Sequence, residues 1–224
     1  MTTVVINSDT DDTYLYKNGS NYNTVWTSPT GFSQINLYLP IGQCYIPGVD
    51  YDVYRSFLYF DTSILTDDAL ITSAKISLYG LLDNSSTDFD IVVQNGQPDY
   101  PNKPASLSDY NKEVYAGNYG SMSSSDFKTE DYNDISLTTS IINKTGTTKV
   151  CLRSSRDISG NAPAFLVGEN VQFYEYGTAN KEPKLTVIYT IPDYKKLHIT
   201  SSNENIYNIE SKNENQFNIQ KREK

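Results

Sequence analysis

At 224 residues, with 38% hydrophobic residues and 19 tyrosines, the chain is long enough to bury a core and too aromatic to be of disordered composition. A formal net charge of −9 repels a phosphate backbone and argues against nucleic acid as a partner. The single histidine, His198, excludes multi-histidine metal centres and leaves the first 190 residues without a base for a serine or cysteine nucleophile.

The chain opens Met1-Thr-Thr-Val-Val-Ile6, with three consecutive apolar residues where a signal peptide needs about 7–15. No export leader is therefore expected, and no run approaches the ~20 apolar residues of a membrane span. From Val4–Ile6 onward the hydrophobic period is two, that of a pleated strand. In Arg55–Asp61 both parities carry aromatic residues or leucine, which predicts a central strand covered on both faces. In Ile71–Tyr79, Ala74, Ile76 and Leu78 alternate with Lys75, Ser77 and Tyr79, giving one buried and one wet face. Further strands are predicted at Phe89–Val93, Ile135–Leu137, Lys149–Arg153, Asn170–Tyr174 and Lys184–Tyr189. Turn-forming clusters such as Lys17–Ser20, Asp83–Ser86 and Asn143–Gly146 separate them.

This pattern predicts an all-β fold, an antiparallel β-sandwich of jelly-roll type over residues 1–190. The segment Asn95–Asp134 is too long and polar for a hairpin connection, and long loops in compact domains are often functional. After residue 190 the composition turns rich in Asn, Glu, Lys and Ile. Asn203–Ile209 and Asn213–Ile219 repeat Asn-Glu-Asn-x-aromatic-Asn-Ile. Residues 191–224 are thus expected to form an appendage that pairs as a small hairpin or packs on a partner, with a partly ordered linker as the alternative. Cys44 and Cys151 permit one disulfide, but free thiols are favoured because nothing else marks an oxidising compartment.

The ordered set Ser8-Asp-Thr-Asp-Asp-Thr-Tyr-Leu15, Tyr54-Arg-Ser-Phe-Leu-Tyr-Phe-Asp-Thr-Ser-Ile-Leu65, Ala69–Tyr79, Val171–Tyr174 and Glu182–Tyr189 resembles the DNRLRE-type β-sandwich modules. The resemblance implies a non-catalytic jelly-roll module, of the kind appended to surface or secreted polysaccharide-active proteins. Relatives bind acidic polysaccharides or occur in archaeal surface proteins, and similar modules occur in virion structural proteins. It also implies an architectural role for Arg55.

Taken singly, Arg55 needs an acidic partner from another strand if it points inward, and Asp61 is expected to cap the turn that follows it. Asp88 and Asp90 have a spacing that would suit a glycosidase, but they flank core-facing Phe89 and read as a solvated face. Asp9, Asp11 and Asp12 form an acidic turn. A structural calcium ion there is the one cofactor left open, since the EF-hand pattern fails at Thr13 and Tyr14. For glycan binding the candidates are Trp26 and the loop residues Tyr110, Tyr115 and Tyr119, which offer flat rings. Arg153 and Arg156 would read carboxylated sugars. The bland alternatives are loop tyrosines packed down onto the body and an Arg–Asp surface network.

The expected function is non-catalytic attachment or structure: a glycan-binding module of a virion fibre, tail or cell-surface assembly. Its partners would be a polysaccharide or surface glycan and, through residues 191–224, further copies or virion proteins. The alternatives are a carbohydrate-binding appendage of a secreted polysaccharide-active enzyme and, behind it, a small glycosidase or lyase.

Overall fold

The structure, a computed structural model, describes residues 1–33, 38–46, 48 and 50–192, and the backbone of 196–200, 206–213 and 216–221. The first strands are β1 (Thr2–Asn7), β2 (Thr13–Gly19), β3 (Phe32–Ser33), β4 (Tyr38–Ile46) and β5 (Asp50–Asp61), with the short helix α1 (Tyr22–Trp26) after β2. There follow β6 (Leu70–Ser85), β7 (Asp90–Gln94), β8 (Ser121–Ser123), β9 (Tyr132–Leu137) and β10 (Thr147–Ser154), then α2 (Ser155–Ser159). The remaining strands are β11 (Gly168–Tyr174), β12 (Lys184–Thr190), β13 (Lys196–Thr200), β14 (Ile206–Asn213) and β15 (Gln216–Lys221). The all-β antiparallel architecture expected from the periodicity is what the chain adopts.

The strands follow one hydrogen-bonded path, β1-β12-β6-β11-β4-β5-β10-β7-β8, with β9 on β6 and the β2–β3 pair on β5. The path curls until its inner faces meet. Strand β6 makes this continuous because its 16 residues serve two neighbourhoods. Residues 70–79 pair with β12 and β9, and residues 80–85 with β11. Strict alternation on β12 sends Leu185, Val187 and Tyr189 inward. They meet Ile76 and Leu78 of β6, Leu58 and Phe60 of β5, and Val150 and Leu152 of β10 in the main core.

Strand β5 is buried on both faces, as its sequence predicts. Its other parity, Val53, Phe57 and Tyr59, enters a second core with Leu15, Val25, Cys151, Tyr110 and Tyr115. The long Asn95–Asp134 segment and α1 supply that covering layer. Asp109 draws the segment down: fully buried, its carboxylate accepts from the backbone N–H groups of Ser106 at 2.7 Å and Asn102 at 3.1 Å. The loop is a lid on hydrophobic surface, and each aromatic ring it buries contributes about 1.5–3 kcal/mol.

Two glycines sit where backbones cross. At Gly42, φ is +123°, and a Cβ there would lie 2.0 Å from the Glu169 carbonyl oxygen; at Gly80 a Cβ would lie 2.0 Å from that of Lys128. Cys44 and Cys151 are both buried and unpaired.

Strands β13–β15 form a separate three-stranded antiparallel sheet, with one strand more than a hairpin. The two repeat copies meet at the Ile209–Ile219 register pair. The side chains of Ile206, Tyr207, Ile209, Phe217 and Ile219, expected to face a partner, lie outside the described residues, as does that of His198.

Candidate functional site

A buried ion cluster fixes the frame on which any binding surface rests. Helix α2 begins at the Ser154 N-cap, whose hydroxyl accepts from the Asp157 N–H at 3.0 Å, and it ends at Gly160 in the left-handed conformation. This short turn holds the Asp157 carboxylate beneath the outer face of β5. Arg55 grips it with two bonds, Nε to Oδ2 at 2.9 Å and Nη2 to Oδ1 at 2.7 Å, and Arg153 Nε adds a third to Oδ2 at 2.7 Å. The acidic partner Arg55 requires comes from a helix rather than from another strand. Burial alone would raise the Asp157 pKa, but the two guanidinium charges and their hydrogen bonds outweigh it and hold the carboxyl well below the ordinary range.

The cluster gathers several residues proposed for sugar contact, and it places them inside. Tyr110 is fully buried, stacks under the Arg55 guanidinium at 4.1 Å and accepts from Arg55 Nη1 through its carbonyl. Trp26 is half-buried. Its indole N–H donates to the Asp157 carbonyl at 2.6 Å, and its ring is bracketed by the Lys112 ammonium and by Gly160. Arg153, only 3% exposed, donates through Nη1 to Gln94.

The expectation of a ligand-reading surface is therefore corrected for Tyr110, Tyr115 and Arg153. Apolar burial and ion pairing claim these side chains, and Tyr115 lies in the second core. Tyr119 is half-buried against the main core. Arg156 is bound to buried Glu169 at 2.6 Å. Asp61 lies exposed at the end of β5 and accepts from the Ser63 N–H and hydroxyl. Asp88 and Asp90 are exposed on either side of buried Phe89.

A half-buried aromatic band lies instead on the strands, over Tyr14, which is itself buried. Alternation places Tyr14 and Tyr16 on one face of β2, and pairing sets Tyr16 directly opposite Tyr54 on β5. The Tyr16 and Tyr54 rings stack with centroids 6.3 Å apart, Tyr14 stacks on Tyr38 at 6.0 Å, and Phe32 meets Tyr16 edge-on at 5.6 Å. Tyr38 pairs in register with Tyr174 of β11. From Tyr174 the band continues through Tyr79 at 5.8 Å to Tyr132 at 5.1 Å. Lysines cover the far end: Lys181 lies over Tyr79 and Tyr174, and Lys184 over Tyr132. Among the described residues no lysine or arginine lies over Tyr16, Tyr38 or Tyr54. None of these rings is among the glycan-contact candidates named above from the sequence. The available signal was tyrosine at alternate positions, as in Tyr14-x-Tyr16, within a chain of 19 tyrosines.

Tyr14 also lines a cleft of about 440 Å³, together with Thr10, Asp11, Asp12, Glu175 and Tyr176. The three aspartates of the acidic turn diverge. Asp9 pairs with Lys103, while Asp12 turns inward and accepts from the Tyr59 N–H at 3.1 Å. Among the described residues no three His, Cys, Asp or Glu side chains converge to hold a metal ion. Burial raises the Asp12 carboxyl well above its ordinary value and Glu175 to about 7.

Opposite pH effects on stability follow. Asp157, with its lowered pKa, contributes stability that is present above the ordinary value of 3.8 and lost as pH falls through its folded value. Asp12 and Glu175, with raised pKa, contribute stability that is present in acid and lost as pH rises, for Glu175 between 4.5 and about 7. The thermal midpoint is expected to peak in the mildly acidic range. In Asp12→Asn the decline above the peak should be shallower; an unchanged decline would show that Asp12 does not contribute to it.

No family model and no curated protein matches the chain, so the likeness to DNRLRE-type modules stays at the level of its motifs. Among solved structures, one is described as a structural basis for the promiscuous specificity of carbohydrate-binding modules from the β-sandwich superfamily. It shares 13% identity at a TM-score of 0.26, over 83% of this chain and 54% of that one. Another is the cryo-EM structure of Mud crab tombus-like virus, at 11% identity and a TM-score of 0.29, over 86% of this chain and 84% of that one. Superposition is poor in both cases, and neither assigns this chain a family or a ligand.

Proposed function

We propose that the chain is a non-catalytic attachment module that binds a glycan on the tyrosine band where it enters the cleft, within a virion or cell-surface assembly. The observation that carries this reading is the half-exposed Tyr16–Tyr54 stack, packed on buried Tyr14 beside a cleft with polar groups along its wall. Flat rings accept the apolar face of a pyranose, and adjacent carboxyls fix its hydroxyls. The rigid frame of the buried ion cluster holds the strands that carry these rings, which favours a preformed surface.

A glycan array followed by calorimetry tests the reading. Removing both rings in Tyr16→Ala/Tyr54→Ala should weaken binding about tenfold, at ~1 kcal/mol or less per ring. Failure of the chain to bind any glycan would overturn the reading and leave a purely structural role. Assembly through residues 191–224 belongs to the same proposal. Light scattering on the full chain should show a multimer, and a monomer at high concentration would remove the tail as a self-association element.

One observation favours catalysis: two carboxyls of raised pKa share a cleft. A glycosidase, however, needs its pair pushed apart, one holding its proton and one ionised. Asp12 and Glu175 are pushed the same way. Release of reducing ends or unsaturated sugars from any bound polymer would reverse this conclusion.

A further inference from the structure

We infer that the tyrosine band continues into a second subsite, a trough across β4, β11 and the end of β6, which takes an uncharged hexose unit of the bound glycan. This rests on the glycan-binding reading and names its ligand class. Strand register builds the trough. Tyr16 stands opposite Tyr54, Tyr54 opposite Gly42, Gly42 opposite Asn170, and Asn170 opposite Asn84. Directly paired residues share a sheet face, so one row runs from two stacked rings, across a position without a side chain, to two carboxamides. The next row repeats the gap: Asp52 stands opposite Cys44, and Cys44 opposite Gly168. Over Gly168 lies a trough of about 540 Å³, with Tyr45 and Ile46 on the β4 side and Asn84 and Ser86 on the β6 side. Small-ligand sites occupy ~300–1,000 Å³. At ~4.8 Å per strand, Asn170 lies roughly 10 Å from Tyr54, within reach of one oligosaccharide laid over the ring stack.

Two buried polar groups border this trough without partners. Asn170 lines it and is only 6% exposed, yet its carboxamide makes no hydrogen bond to any described residue and is not sealed from the cavity. On β5, across from Cys44, Asp52 is 8% exposed and leaves Oδ1 unbonded, while its Oδ2 accepts from the Tyr54 hydroxyl at 3.0 Å. Buried polar groups are normally bonded, so an open amide at the base of a cavity points to a ligand. A carboxamide both donates and accepts, as a sugar hydroxyl does. Among the described residues that line the trough there is no lysine or arginine. A uronate or sulfate would therefore bring a charge with no counterpart, to a chain of net charge −9. The one carboxylate on that lining, Asp83, is turned to its own chain and accepts from the Ser85 N–H and hydroxyl.

The test is calorimetry of the full chain with oligomers of glucose, galactose and mannose and with oligogalacturonate, each at low and high salt. A neutral oligomer should bind more tightly than the uronate and equally well at both salt concentrations, since no ion pair is made. Asn170→Ala should weaken it about tenfold, the worth of one or two hydrogen bonds. Its thermal midpoint should stay unchanged, because the amide bonds nothing in the protein. If the midpoint falls instead, Asn84→Ala, at an exposed position on the same trough, supplies the second variant and should weaken binding about threefold. Neutral binding that survives both variants but is weakened by Tyr16→Ala/Tyr54→Ala overturns the subsite and leaves the band reading standing. Tighter binding of oligogalacturonate overturns the uncharged ligand class. Absence of binding to every sugar overturns both readings.

Discussion

Asp157→Ala is expected to cost about 3–5 kcal/mol of stability, the typical penalty for leaving a buried charge without its partner. The carboxylate is fully buried and neutralises two guanidiniums, of which Arg55 is fully buried and Arg153 is 3% exposed. Removing it leaves two adjacent positive charges in the interior. It also loosens one tie to α1, because the Arg55 guanidinium that donates through Nη2 to the Trp26 carbonyl loses its anchor, while the Trp26 indole bond to the backbone carbonyl of residue 157 survives. Against a typical domain stability of about 5–15 kcal/mol, a loss of that size empties much of the folded population. Urea denaturation at neutral pH gives the measurement. The natural control is Lys75→Ala, which breaks an exposed pair with Asp134 and should cost less than about 1 kcal/mol. Equal midpoints for the two variants would mean that the buried cluster is not what holds the second layer down.

The second large effect is expected at Gly42→Ala, at about 2–5 kcal/mol from backbone strain and overpacking together. Gly42 faces Tyr54 on one side and Asn170 on the other. An added methyl meets the Glu169 carbonyl oxygen at 2.0 Å and the Asn170 Cα at 2.8 Å. Backbone cannot swing aside as a flexible side chain can. Gly177→Ala separates the two contributions: its φ is +94° with no atom within 4 Å of the new Cβ, so it should show the conformational cost alone, about 1–2 kcal/mol. Thermal unfolding of both variants tests the difference. Because the displaced strand carries the Tyr54 neighbourhood, Gly42→Ala should also weaken glycan binding, whereas Gly177→Ala should not.

The parts of the fold that rest on local alternation were legible. The two-sided burial of β5 and the inward set on β12 follow from which residues stand at successive positions, since a strand turns every second side chain the same way. What the sequence hid depends on chain segments returning from afar. The partner of Arg55 is 102 residues away. The decision that Tyr110 and Tyr115 are core rather than surface turns on where the long loop lands. A polar loop with spaced tyrosines looks like a binding loop until Asp109 pulls it against β5. The tyrosine band is hidden for the same reason: Tyr16 and Tyr54 become neighbours only through strand pairing, and Asp12 and Glu175 share a cleft only because the sheet curls.

The placement of β1 has a mechanical consequence. It lies antiparallel to β12, with Thr2 beside Tyr189 and Asn7 beside Lys184, so the chain's start and the exit toward residue 191 emerge at the same end of the ladder. Tension applied between those two points would unzip one hydrogen bond at a time, the weak direction for such a ribbon. Tension entering through the exit alone, with the binding face anchored, would instead load β12 lengthwise against β1 and β6 together, shearing many bonds at once. Under the proposed attachment role, a module tethered from one side would thus resist pulling by the route its topology makes strong.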